Sequence, residues 1–135
     1  MSVCEVTSLE KHYPGVTALK GVSFSLSKGE ITGLVGANGA GKSTCIKIMV
    51  GLMVPTSGSV TVTGKPLFPE PQRRRRKIGY LPEGNPLPLD HRVTEYLDFM
   101  ASLKPAGKKS RRELRDEMLE VMGIKEVRHR FIGTL

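Results

Sequence analysis

Apolar and polar residues alternate without a fault along Val22-Ser23-Phe24-Ser25-Leu26-Ser27, which predicts a strand with one buried and one wet face. Val60-Thr61-Val62-Thr63 alternates in the same way after Pro55-Thr56-Ser57-Gly58, a stretch that reads as a turn. Val3 to Lys11 carries Val3, Cys4, Val6 and Leu9 among polar neighbours, an imperfect strand. Half-wet strands of this kind pair antiparallel. Ile31-Thr32-Gly33-Leu34-Val35 is mostly apolar on both faces, as a strand buried in a parallel sheet should be, and Ile78-Gly79-Tyr80-Leu81 is the second candidate for that core. Cys45 to Leu52 is apolar nearly all round and predicts a central, buried helix. From Pro82 to Pro88 three prolines and Gly84 interrupt any regular element. Beyond them Val93, Tyr96, Leu97, Met100 and Leu103 form one helical stripe, which Lys104-Pro105-Ala106-Gly107 ends. A second helix is expected from about Ser110, with Leu114, Met118, Val121 and Met122 on one face and Gly123 as its end cap.

Between the first parallel-type strand and the central helix stands Gly36-Ala37-Asn38-Gly39-Ala40-Gly41-Lys42-Ser43-Thr44. Its first eight residues fit G-x-x-x-x-G-K-[ST], the phosphate-binding loop of nucleoside-triphosphate hydrolases. The glycines let the backbone turn tightly and approach a ligand, and successive N–H groups then point inward as a nest for an anion. Lys42 can reach the β- and γ-phosphates and the Ser43 hydroxyl can ligate Mg²⁺. A helix that starts near Lys42 adds its positive dipole end to the same anion. Strand, glycine loop and helix are the surroundings the motif requires, which separates it from a glycine turn with a stray Lys-Ser pair.

At 135 residues the chain is long enough for one core and short for two ordinary domains. Apolar residues at 39% and charged residues at 25% suit a globular chain rather than a disordered one. No apolar run approaches the roughly 20 residues that span a bilayer, and Met1 to Glu5 lacks the pattern of a secretory signal. Cys4 and Cys45 form no C-x-x-C pair, so a reducing cytoplasm is expected. The net charge of +8 is concentrated in Arg73-Arg74-Arg75-Arg76-Lys77 and in Lys108 to Arg115. These read as solvated surface; no aromatic residue is interleaved to stack on bases, so nucleic acid is not the expected partner. His12 and His91 have no second ligand at metal spacing.

Four features in order resemble the ATP-binding subunits of ABC transporters. Tyr13, in Lys11-His12-Tyr13-Pro14-Gly15, stands where that family keeps an aromatic that stacks on adenine. The alternating strand ends in Lys28-Gly29-Glu30 and leads straight to the phosphate loop. Gly79-Tyr80-Leu81-Pro82-Glu83 occupies the place of the family's Q-loop strand, and a helical segment follows. The resemblance implies an α/β P-loop NTPase fold: an antiparallel β subdomain, an incomplete parallel core sheet and a helical subdomain, truncated. It places an ATP-binding core over residues 1–82 and the Q-loop with the helical subdomain over 83–135.

The resemblance also implies roles. Lys42 and the loop residues Gly36, Ala37, Asn38, Gly39, Ala40 and Gly41 hold the phosphates of ATP, Ser43 the Mg²⁺ and Thr44 the α-phosphate, while Tyr13 stacks on the base with Val16 beside it. Tyr13 is also readable as an ordinary half-buried strand tyrosine and Val16 as a core valine. Glu83 stands where the family usually has glutamine, near Mg²⁺ and the membrane-subunit interface. Its carboxylate is a harder ligand for Mg²⁺ but repels the γ-phosphate, and it also reads as a solvent-facing loop residue. The wording Gly79 to Glu83 looks like an exporter-type branch, close to gliding-motility-associated ATPases. The implied partners are a transmembrane permease subunit and a second ATPase subunit, at the cytoplasmic face of the membrane. The family's signature segment, the carboxylate that polarises water and the histidine that senses the γ-phosphate are expected beyond Leu135. On that reading the chain is the N-terminal portion of an ABC ATPase, no catalytic residue is assigned, and the chain alone is expected to hydrolyse ATP poorly. The alternatives are a nucleotide-binding module without turnover and a soluble ABC-type protein acting on nucleic acid or ribosomes.

Overall fold

The computed structural model describes residues 1–84, 86–103, 107 and 109–135. These form two compact units, Met1–Leu81 and Pro82–Leu135. In the first, β1 (Ser2–Tyr13) and β2 (Val16–Ser27) make an antiparallel hairpin. On the other edge of β1 lies β3 (Ser57–Val62), followed by the short β4 (Lys65–Pro66), giving the order β2-β1-β3-β4. The alternation in β2 is obeyed: Val22, Phe24 and Leu26 are half-buried and the serines between them are exposed. The helix α1 (Lys42–Met49) adds Cys45 and Ile48 to a core of Val6, Leu9, Leu19, Val60, Val62 and Leu67. Each such aliphatic side chain contributes about 1.5–3 kcal/mol by leaving water.

The imperfection of the first strand has a structural cause. Val6 and Leu9 are both buried although three residues apart, a spacing that would put them on opposite faces of a regular strand. A bulge resets the phase between them: the register with β2 shifts between Val6 and Leu9, and with β3 between Thr7 and Glu10. Ser8 takes a φ of 45° and donates its N–H to Ser23 Oγ at 2.8 Å. Gly58 passes close by with a φ of 82°, and a Cβ there would lie 2.3 Å from the Ser8 carbonyl oxygen.

Several expectations are corrected. Residues 31–35 and 78–81 form no strand among the described residues, and Ile31, Val35 and Leu81 are exposed. A strand that is apolar on both faces needs neighbours on both edges and cover on both sides, and the antiparallel sheet supplies neither to these segments. For the same reason α1 is buried on one side only, with Ile46 exposed. The expected turn at Pro55 to Gly58 lies earlier, because Ser57 already starts β3 and the Thr56 N–H donates to the Glu10 carbonyl at 2.9 Å. Within the arginine run a short helix forms, α2 (Pro71–Arg75), with Pro71 in its first turn.

The second unit is a helical hairpin, α3 (Val93–Ser102) and α4 (Arg111–Val121), around a core of Val93, Leu119 and Ile132. The expected helix-breaking residues Lys104, Pro105 and Ala106, together with Lys108, lie outside the described residues. The buried position of α4 is Leu119, whereas Val121, Met122 and Met118 are exposed, as are Met100 and Leu103. Arg115 shares the inward face with Leu119, at i and i+4, because Asp98 of α3 binds its guanidinium: Nη1 lies 3.1 Å from Asp98 Oδ2 and Nε 2.8 Å from Asp116 Oδ1. A pattern of apolar residues alone therefore centres the face in the wrong place. Gly123, with a φ of 64°, ends α4 as expected. The Ile124 N–H returns to the Leu119 carbonyl and the Gly123 N–H to that of Glu120, both at 3.0 Å, the Schellman arrangement. The last residues run back beside the start of α3, with the Ile132 N–H on the His91 carbonyl at 2.9 Å and the Val93 N–H on that of Arg130 at 3.1 Å.

Two outcomes follow. Gly58→Ala forces a methyl group against the Ser8 carbonyl at a φ that L-residues avoid, and should cost roughly 1–3 kcal/mol in urea unfolding. Gly64, at a φ of 71° with nothing within 4 Å of its would-be Cβ, is the control and should lose less as alanine; equal losses would sink the bulge argument. At the start of α4 the Ser110 N–H donates to Glu113 Oε2 at 2.6 Å, and chiefly this bond holds the Glu113 carboxyl below its usual range. A carboxyl lowered in the folded state adds stability above its unfolded value of about 4.3 and loses it as pH falls. Glu113→Gln should therefore lower the unfolding midpoint at neutral pH, and the gap to the parent should narrow as pH falls below the ordinary carboxylate range. A gap of constant size across that range would rule the capping carboxylate out as its cause.

Candidate functional site

Residues 36–41 carry the chain into α1, whose N-cap is Gly41 in the left-handed region at a φ of 89°. Only glycine fits: a Cβ there would stand 2.2 Å from the Ala18 carbonyl oxygen and 2.9 Å from Leu19 Cδ2. The loop therefore lies directly on β2. Gly39 has a φ of 83°, and the Ala40 N–H closes a turn on the Ala37 carbonyl at 3.1 Å. The Lys42 ammonium bends back over the loop and donates to the carbonyls of Gly36 at 2.6 Å and Ala37 at 2.7 Å. The first internal bond of the helix end runs from the Cys45 N–H to the Gly41 carbonyl, 2.8 Å. Ahead of it the N–H groups of Lys42, Ser43 and Thr44 have no acceptor among the described residues, as the first turn of any helix leaves them. Neither the Ser43 nor the Thr44 hydroxyl is hydrogen-bonded among those residues, and no acidic residue occupies the first turn. Free amides, a lysine ammonium and the helix dipole thus meet at one place, which fits a polyphosphate, and the free Ser43 hydroxyl fits a hard cation bound with it.

Tyr13 and Val16 face each other at the tip of the β1–β2 hairpin, joined by Pro14 and by Gly15 at a φ of 76°. Tyr13 is 40% exposed and Val16 61%, so Val16 is not a core valine. The Tyr13 hydroxyl donates to Met53 Sδ at 3.0 Å, and the Lys11 ammonium stands 5.4 Å from its ring centroid. From Val16 the strand β2 runs directly to the loop: Thr17, Ala18, Leu19 and Lys20 line one cleft of about 360 Å³ with Gly39 and Ala40. The chain thus joins the sequence-identified loop to Tyr13 and Val16 through one strand. Glu83 belongs to the second unit, where it is exposed and makes no ion pair among the described residues.

His12 is engaged within the sheet, with Nδ1 3.1 Å from Thr17 Oγ1 and Nε2 3.2 Å from Glu10 Oε2. The Ser57 hydroxyl donates to the same carboxylate at 2.8 Å, and that bond, with the one to His12, holds Glu10 below the usual carboxylate range. Sequence reasoning missed Lys11, Met53 and Arg75. An Arg75 Nη2–H donates to the Gly51 carbonyl just past the end of α1, where a cation suits the helix dipole, while its Nε is buried with no acceptor among the described residues. Lys11 two residues before Tyr13 on a strand was the one readable signal, since such residues share a face. The contacts of Met53 and Arg75 cross stretches of chain that no local pattern links.

Compared with known proteins, residues 19–135 match the family profile described as ABC transporter. An uncharacterised ABC transporter ATP-binding protein of Bacillus subtilis, YxlF, is 38% identical over 128 residues, which is 95% of this chain and 42% of that protein. LptB of Haemophilus influenzae, a lipopolysaccharide export system ATP-binding protein, is 35% identical over 133 residues, 95% of this chain and 54% of its own length. The chain thus spans about half the length of these relatives. Among solved structures, cbiO1 of Clostridium perfringens, part of the ABC transporter complex cbiONQ, superposes with a TM-score of 0.83 at 26% identity, over 99% of this chain and 55% of that one. The expected P-loop NTPase fold is the fold of that neighbour, and with the profile covering most of the sequence the chain belongs to the ABC transporter family of ATP-binding domains.

Proposed function

We propose that this chain binds ATP with Mg²⁺ through Gly36 to Thr44, and that the whole protein hydrolyses ATP to drive an exporter-like transport system. One observation carries the reading: the Lys42 ammonium and the unpartnered N–H groups of Lys42, Ser43 and Thr44 converge at the start of α1. Phosphate oxygens would take over Lys42 from the Gly36 and Ala37 carbonyls and accept from the amides, with Thr44 at the α-phosphate. Ser43 would hold the Mg²⁺, which would supply charge neutralisation to the phosphates. Tyr13 offers a π-face to the base and Val16 an apolar contact beside it. Residues 1–82 then act as the ATP-binding core, and 83–135 as the Q-loop and helical subdomain.

The export reading is supported by the name of the Haemophilus relative and by Glu83 in the Gly79 to Glu83 stretch. Among the described residues no helix is long and apolar enough to cross a membrane. From the family, the proposed partners are a permease subunit and a second ATPase subunit, with the chain held peripherally at the cytoplasmic face. Lys42→Ala removes the charged donor, and should weaken ATP binding by about tenfold or more in equilibrium titration, since a charged hydrogen bond is worth about 1.5–3 kcal/mol. Equal affinity of parent and variant would overturn the phosphate-loop reading.

A further inference from the structure

Lys11 donates from its ammonium to the Val54 carbonyl at 2.8 Å and stands over the Tyr13 ring, 5.4 Å from the centroid. The ring is pinned at its far edge as well, where the hydroxyl donates to Met53 Sδ at 3.0 Å. Both anchors belong to one stretch that runs beside the end of β1. Its Thr56 N–H bonds the Glu10 carbonyl at 2.9 Å, and its Thr56 Oγ1 accepts from the His12 N–H at 3.0 Å. The stretch is tied in turn to the end of α1, because the N–H groups of Leu52 and Met53 both donate to the Lys47 carbonyl, at 2.8 and 3.2 Å. The helix that presents its first amides at the phosphate loop therefore also holds, through its last turn, the residues that orient Tyr13.

We infer that Lys11 is a positioning residue for the nucleotide base. Its ammonium covers one face of Tyr13, so that the base is received on the other. The inference rests on the ATP-binding reading above and goes beyond it. A half-exposed tyrosine at the tip of a hairpin would otherwise turn about its side-chain bonds, and ordering it would weaken binding. A cation over the ring is attracted by the quadrupole of the π-system and selects one face. The hydroxyl bond to Met53 fixes the tilt. The platform is thus set during folding rather than at encounter. A ligand with phosphates and no base gains nothing from this, which separates the role from general support of the loop.

The test is equilibrium binding of two ligands, ATP and inorganic tripolyphosphate, to the parent protein and to Lys11→Met, Lys11→Arg and Lys42→Ala. Lys11→Met keeps the apolar stem and removes the cation; it should weaken ATP by about threefold and leave tripolyphosphate unchanged. Lys11→Arg restores a cation that also stacks on aromatic faces, and should return ATP affinity to the parent value. An unchanged ATP affinity in Lys11→Met overturns the inference. So does an equal loss for both ligands, which would make the lysine a prop of the 53–56 stretch, and so does a failure of arginine to rescue. Lys42→Ala should weaken both ligands. If it does while Lys11→Met binds ATP as the parent does, this inference alone falls; if Lys42→Ala changes neither ligand, the nucleotide reading falls with it.

Discussion

The backbone at Gly41 lies so close to β2 that a methyl group there would stand 2.2 Å from the Ala18 carbonyl oxygen. This contact decides where α1 starts and which way it points. With Gly41 left-handed against Ala18, the next residues turn straight into helix, and Cys45 and Ile48 fall into the core beside Leu19. The amides of the first turn are left without acceptors among the described residues. A residue with a side chain at this point would lift the loop from the strand and separate the helix end from the sheet that carries Tyr13. The candidate phosphate site is thus a consequence of packing: one glycine lets a polar helix end sit at the surface while one face of the helix, with Cys45 and Ile48, is buried.

The bulge in β1 performs the corresponding task at the other side. Without it, either Val6 or Leu9 would face solvent, and the end of the strand would present the opposite set of residues. With Ser8 displaced, Leu9 returns to the core, and the end of the strand delivers Lys11 and Tyr13 to the stretch that leaves α1. Gly58 accommodates the displaced carbonyl from the neighbouring strand. Two glycines, Gly41 and Gly58, therefore shape the two ends of the candidate site, each by allowing backbone to approach backbone.

Much of this was legible in the sequence because it depends on local chemistry. The glycine loop that leads into α1 follows from residue types at fixed spacing, the β2 strand from strict alternation, and the end of α4 from a single glycine. What failed was burial that depends on neighbours. Residues 31–35 read as a core strand and are exposed, since hydrophobicity states what a segment prefers and not whether a partner is present. Leu119 was missed because the face of α4 is set partly by a charged residue, Arg115, whose value to the hairpin comes from Asp98 on the other helix. The fault in β1 was visible as an imperfect pattern, but only the paired register identified it as a bulge. Contacts such as Tyr13 with Met53 join residues 40 positions apart, beyond the reach of any periodicity.

Under the proposed function, the two halves of the site recognise their ligand by different physics. The phosphates meet directed donors: backbone amides, an ammonium and a helix dipole, each of which loses strength quickly when geometry or charge is wrong. The base meets the exposed face of one tyrosine ring and one valine, with no donor or acceptor aimed at its edge among the residues placed there. Stacking of this kind is tolerant, because every base has a π-face. Selectivity for a triphosphate is therefore intrinsic to the loop. Preference among bases depends on how firmly the ring is held, and it is held from the same helix that binds the phosphates.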